Sequence, residues 1–227
     1  RYSTLGAAGS LGDGLVPGVL GAYDVNLGGA TTYLDEDFEG YTVPNDPTGW
    51  KLDNPANQLD GTGAAYWATY TDPDDATNVT FGPDSTTSHS NHHAHWNGSG
   101  AANLSNYRWT GRFKYGDYAT GDDAADAGIG FTVLSKFCDV SPADTYIRVR
   151  RYNTGTGSPS AFHVSNHTYA APAGGTSVSS FVPAESTWYR FKIEIEDNGS
   201  TQTDLRVRFW EEGQPEPGTW DINCYWT

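Results

Sequence analysis

The sequence predicts an all-β fold, a β-sandwich or jelly roll, on three observations. Short runs of alternating apolar and polar residues recur along the chain, helical periodicity is almost absent, and segments rich in Gly, Pro, Asp and Ser separate the runs. The 227 residues include eight Trp, 14 Tyr and nine Phe, an aromatic content that argues against disorder. That length supports a sizeable core, in one large all-β domain or two small ones. The one Ala-rich stretch, Asp122 to Ala127, is too short to stand as a helix.

In chain order, residues 1–29 stand apart. They are dominated by Gly, Ala, Leu and Val and contain no Lys, Glu or Trp. Such a stretch wants burial but is too rich in Gly to form a core of its own, so it is expected to be an arm that packs on something else, with a strand-like core at Val16 to Val25. Strand patterns follow at Ala64 to Thr71, Tyr107 to Tyr115, Ile129 to Phe137, Tyr146 to Tyr152 and Ala161 to Asn166. Trp188 to Asp197 puts Tyr189, Phe191, Ile193 and Ile195 on one face and Arg190, Lys192 and Glu194 on the other. After an Asn198-Gly199 turn signal, Asp204 to Trp210 sets Leu205, Val207 and Phe209 against Arg206, Arg208 and Trp210, which predicts an antiparallel hairpin. No linker-like change in composition interrupts Asp37 to Thr227, so residues 30–227 are expected to form one sandwich.

Charge narrows the partners. With 13 basic against 28 acidic residues and a net charge of -15, a phosphate-tracking protein is excluded, and no apolar run approaches the roughly 18–20 residues of a membrane-spanning helix. The start at Arg1, with no Met and no leader pattern, leads us to expect a processed or excised product. Cys138 and Cys224 either close one disulfide across a long loop, which would contribute about 4 to 5 kcal/mol in the chain-entropy model, or remain as buried thiols; the bond is the expectation. Of the Asn-X-Ser/Thr acceptors at Asn78, Asn97, Asn103, Asn166 and Asn198, at least some are expected on exposed turns, Asn198 above all, and with the acidity they point to an extracellular or cell-surface glycoprotein.

From Tyr33, the run YLDEDFEGYTVPNDPTGW resembles the start of concanavalin A-like, laminin-G-like sandwich domains. Trp188 to Ile193, Leu205 to Trp210, and then Gly213, Pro215, Glu216, Pro217 and Trp220 are similar to the late hairpin of bacterial members of that family. The resemblance covers roughly residues 31–227 and implies a jelly roll of the kind found beside glycan-active enzymes or in surface proteins. Family members usually continue past the Trp220-like strand with further strands that close the sheet. Here the arm, through Val16, Val19, Leu20, Tyr23 and Val25, is expected to supply the missing strand. It would do so in its own molecule, in a neighbouring copy to make a filament, or between units of a tandem array.

Catalytic motifs are not found. The family's Glu-X-Asp-X-X-Glu, Gln-X-His and Tyr-X-Lys-X-Gly patterns do not occur, nor does Gly-X-Ser-X-Gly, so no catalytic residue is assigned and an enzyme is not expected. His89, His92, His93 and His95 have spacing suited to Zn or Cu, but no carboxylate or thiol lies nearby in sequence to complete a site. Asp35, Asp37 and Glu39 are candidate Ca2+ ligands near the first strand or, alternatively, solubilising groups; no cofactor is required. Tyr146, Arg148, Arg150, Arg190, Lys192, Arg206, Arg208 and Trp210 gather cations and rings onto polar strand faces. They form a candidate surface for an acidic glycan, or else they pair across strands with Glu194, Glu211 and Glu212. The expected function is a structural subunit that polymerises by strand complementation, with a carbohydrate-binding module as the alternative and a glycan-degrading enzyme third.

Overall fold

The computed structural model describes residues 20–23, 32–45, 47, 50–52, 67–72, 75–83, 94–96, 106–114, 128–136, 145–152, 161–167, 170–184, 186–199 and 201–227. The chain divides into two compact units, residues 1–111 with 138–143, and residues 112–137 with 144–227. The first carries β1 (Leu20–Tyr23), β2 (Thr32–Glu36), β3 (Trp50–Leu52), β4 (Trp67–Asp72), β5 (Asp75–Pro83), β6 (Ala94–Trp96) and the start of β7 (Tyr107–Lys114). The second carries the end of β7, β8 (Gly128–Lys136), β9 (Thr145–Tyr152), β10 (His163–His167), β11 (Gly174–Thr176), β12 (Trp188–Asp197), β13 (Thr203–Glu211) and β14 (Ile222–Trp226). The described residues contain no helix, hence none long and apolar enough to cross a membrane. The paired strands are antiparallel, and the fold is all-β and sandwich-like.

In the first unit, β1 is bonded on both edges. It pairs with β2 from Leu20↔Glu36 to Tyr23↔Thr32 and with β7 from Leu20↔Gly111 to Tyr23↔Arg108. The turn after β2 holds Phe38 in a left-handed conformation at φ 61°. The Glu36 carboxylate secures it, accepting from the Phe38 amide at 2.7 Å and from the Tyr41 hydroxyl at 3.0 Å. The Phe38 ring is buried against Phe81 and Trp50, with centroids at 5.0 and 5.8 Å, and burial worth about 1.5–3 kcal/mol offsets the backbone strain.

In the second unit two sheets face each other. One has the order β10-β9-β8; the other runs β11-β14-β13-β12 and then the end of β7. Phe131 of the first meets Phe191 of the second at 4.3 Å, and Phe162 stacks on Phe209 at 4.2 Å. Ile147, Val149, Ile193, Ile195, Leu205, Val207 and Ile222 fill the remainder and are almost wholly buried. The predicted hairpin is present, paired from Tyr189↔Glu211 to Asp197↔Thr203.

Residues 173–179 join the two sheets at one edge. Gly174 to Thr176 pair with β14, and the residues that follow directly bond β10 and its start, with Val164 N donating to Ser177 O and Ser179 N to Phe162 O, both at 2.8 Å. The corner is Gly175. At φ 88° it lies so close to β14 that a Cβ would overlap Asn223 O and sit 2.7 Å from Cys224 Cα. Gly175→Ala is therefore expected to destabilise the protein by about 2 kcal/mol or more. Gly213→Ala, at φ 87° with open space around the new methyl, should cost about 1 kcal/mol from backbone strain alone. Chemical denaturation of the two variants compares them; equal losses would show that the close approach at Gly175 does not matter.

Candidate functional site

The period of two along β12 and β13 turns Trp188, Arg190, Lys192 and Glu194 outward beside Trp210, Arg208 and Arg206. Register places Lys192 opposite Arg208 and Glu194 opposite Arg206. Like charges at one cross-strand position repel, so Lys192 and Arg208 need an acidic group between them. The connection from β13 to β14 supplies it: Glu216 Oε1 lies 2.9 Å from Arg208 Nη2 and also pairs with Lys192 Nζ, while the Pro217 carbonyl accepts from Arg208. Glu212 does the same one strand over, with one oxygen 2.5 Å from Arg112 Nη1 and the other 3.1 Å from Arg190 Nη2.

Two indoles flank these pairs. The Arg112 guanidinium lies 4.3 Å from the Trp188 ring centroid and Lys114 Nζ 5.1 Å from it, while Arg208 covers Trp220 at 3.9 Å. Trp188 and Trp220 are half-buried, whereas Trp210 is buried. Arg206 is held on the sheet itself by Glu194 at 3.7 Å, Asp204 at 3.9 Å and Glu196.

The remaining cations of the expected surface lie elsewhere. Arg148 and Arg150 project from β9, where inward positions belong to Ile147 and Val149, so they occupy the outer face of the opposite sheet. Tyr146 is buried there, with the Arg148 guanidinium 5.2 Å from its ring. Thus one expected face is two, on opposite sides of the sandwich. His163 lies across from Arg150 in register; burial, and then the Arg150 and Arg148 charges, hold its pKa below the ordinary 6.5 although its ring also contacts the Ala161 carbonyl.

The acidic turn acts as a set of caps. Asp37 accepts from the Glu39 amide at 3.1 Å, and the Glu39 carboxylate accepts from the Val79 amide at 3.2 Å. Among the described residues no group of three or more His, Cys, Asp or Glu side chains gathers as a metal site. Among the glycosylation candidates, Asn78 lies in β5 at 2 % exposure with its Nδ2 donating to Asp72 at 2.8 Å. Asn166 and Asn198 are exposed, the latter on the predicted hairpin turn; Asn97 and Asn103 lie outside the described residues. His89, His92 and His93 also lie outside them, and His95 is described by its backbone in β6. Of the arm residues, Leu20 and Tyr23 are described by backbone pairing in β1, and Val16, Val19 and Val25 fall outside.

Cys224, expected to be bonded, carries a free buried thiol; Cys138 lies outside the described residues. Burial, then the nearby Asp204 charge, pushes that thiol up to about 12. Trp188, Trp220, Glu216, Arg112 and Lys114 are additions to the sequence-derived set. Alternation alone could have placed Trp188 beside Arg190, but β7 beside β12 is tertiary information. Comparison with family models, curated proteins and solved structures finds no match to this chain.

Two outcomes follow. At neutral pH Cys224 should resist a thiol reagent until the protein is denatured; rapid native labelling would mean β14 opens, and a denatured protein with no reactive thiol would reveal a bond to Cys138. For His163, the depressed folded pKa means its stabilisation is complete above about pH 6.5 and is lost as pH falls toward the folded value. Thermal midpoints between pH 7.5 and 5 should therefore fall more steeply for the native sequence than for His163→Gln; identical slopes would dismiss the histidine as the cause.

Proposed function

We propose that this chain is an extracellular structural subunit, a jelly-roll sandwich of the concanavalin-like type, that joins copies of itself by strand complementation through residues 1–29. The observation that carries this reading is the position of β1. It belongs to the arm, precedes both its partners in sequence, and is bonded on one edge to β2 and on the other to β7. The slot between β2 and β7 is thus built from residues that follow the plug. Without β1, both of these edges would expose backbone N–H and C=O groups that soluble proteins normally pair or cover.

The same four-residue ladder satisfies the slot whether β1 comes from its own chain or from the next. The choice then depends on local concentration and on the linker between β1 and β2. A head-to-tail exchange that does not close on itself generates a filament, and one that runs between units of a tandem array generates a fibre of fixed order. No catalytic constellation is needed for this role.

Deleting residues 1–29 should abolish assembly yet leave a slot that accepts an added peptide spanning residues 16–25. Light scattering and electron microscopy of the full-length and truncated chains provide the check. Filaments from the truncated chain, or a full-length chain that stays monomeric at high concentration, would overturn the reading.

A further inference from the structure

We propose that residues 213–220 form a lid latched by Glu216, and that the sheet face beneath it binds an acidic polysaccharide whose carboxylates replace those of Glu216 and Glu212. The inference is independent of strand complementation. It starts from how the lid is fastened. Backbone bonds tie down its two ends, Glu212 N to Trp188 O and Asp221 N to Val207 O, each at 2.9 Å. Between them, residues 215–220 reach the sheet through three groups: the Glu216 carboxylate, the Pro217 carbonyl and the Trp220 ring. All three end on Lys192 or Arg208.

The lid's sequence suits detachment. Pro215 and Pro217 have no amide hydrogen to add to a ladder, and Gly213 at φ 87° begins the segment with open space around it. Its ionic fastening is partly solvated, since the Glu216 side chain is 33 % exposed, and partly exposed ion pairs are individually weak and screened by salt. A competing carboxylate in high local concentration can therefore take its place.

The sheet face under and beside the lid defines the ligand. Arg112 and Lys114 on β7, Arg190 and Lys192 on β12, and Arg208 on β13 bring five cations onto three neighbouring strands in a chain of net charge -15. Neighbouring strands lie about 4.8 Å apart, so positive charge repeats across the sheet and suits a linear polymer with an acidic group on each sugar. The group already seated between these cations is a carboxylate, twice. Trp188 beside the β7 cations offers part of its indole surface to sugar rings.

Isothermal titration with polygalacturonate, neutral dextran and poly-L-glutamate tests the proposal. Polygalacturonate should bind, weakening as salt rises. Glu216→Gln should tighten binding roughly three- to tenfold by releasing the latch, and Arg208→Ala should weaken it by at least as much. Lys192→Gln carries the same expectation should Arg208→Ala fail to fold, which a thermal melt reveals. The proposal is overturned by no polygalacturonate binding to Glu216→Gln, by equal binding of dextran, or by poly-L-glutamate binding as tightly as the polyuronate.

Discussion

The contact between Phe131 and Phe191 at 4.3 Å, repeated by Phe162 on Phe209 at 4.2 Å, fixes everything outside the core of the second unit. Because side chains alternate with a period of two, committing Phe191 and Phe209 inward commits Arg190, Lys192 and Arg208 outward. A one-residue slip would bury the cations and expose the rings. Truncating any of these Phe side chains costs about 3–5 kcal/mol, far more than the partly exposed ion pairs above the sheet can contribute. The core therefore dictates the geometry of the charged face, and the charges adapt to it.

Edges are managed by the same economy of backbone bonds. In the second unit, residues 173–179 leave β14 and turn onto β10, and the corner is tight enough to require Gly175. Trp226 anchors the segment from the other end of β14 by donating to Ala170 O at 2.8 Å. Cys224, buried under this corner, contributes as a small apolar side chain whose thiol stays protonated. In the first unit β1 has a similar task, pairing on both sides so that β2 and β7 each gain a neighbour.

The sequence was most legible where alternation was long and uninterrupted. β12 was readable to the residue, and β7, β8, β9 and β13 to within one or two residues at each end. β5 was missed because Asp75, Asn78, Gly82 and Pro83 look like turn residues. Asn78 is nevertheless buried, since Asp72 accepts from its amide. β11 was missed because Gly174 and Gly175 carry no side-chain pattern at all. The division at Gly111 has no compositional trace, as it falls inside a continuous strand. For the site, alternation identified which cations point outward but not which sheet each strand joins. Arg148 and Arg150 were therefore grouped with residues from which the whole core separates them.

Two ways of neutralising cations coexist on the β12–β13 face, and the difference between them is informative. Arg206 is served by Glu194, Glu196 and Asp204, which are carried by the same two strands and cannot leave without unfolding them. Arg112, Arg190, Lys192 and Arg208 are served instead by Glu212 and Glu216 from the β13–β14 connection. Lys192 and Arg112 are among the buried charged residues, and a cation so desolvated needs an anion close by. Stability alone would be met by carboxylates on the strands, as at Arg206. Placing the counter-charge of Lys192 and Arg208 on a Pro- and Gly-containing connection makes it exchangeable without breaking the sheet, so the fold keeps its cations paired at rest while leaving their pairing open to substitution.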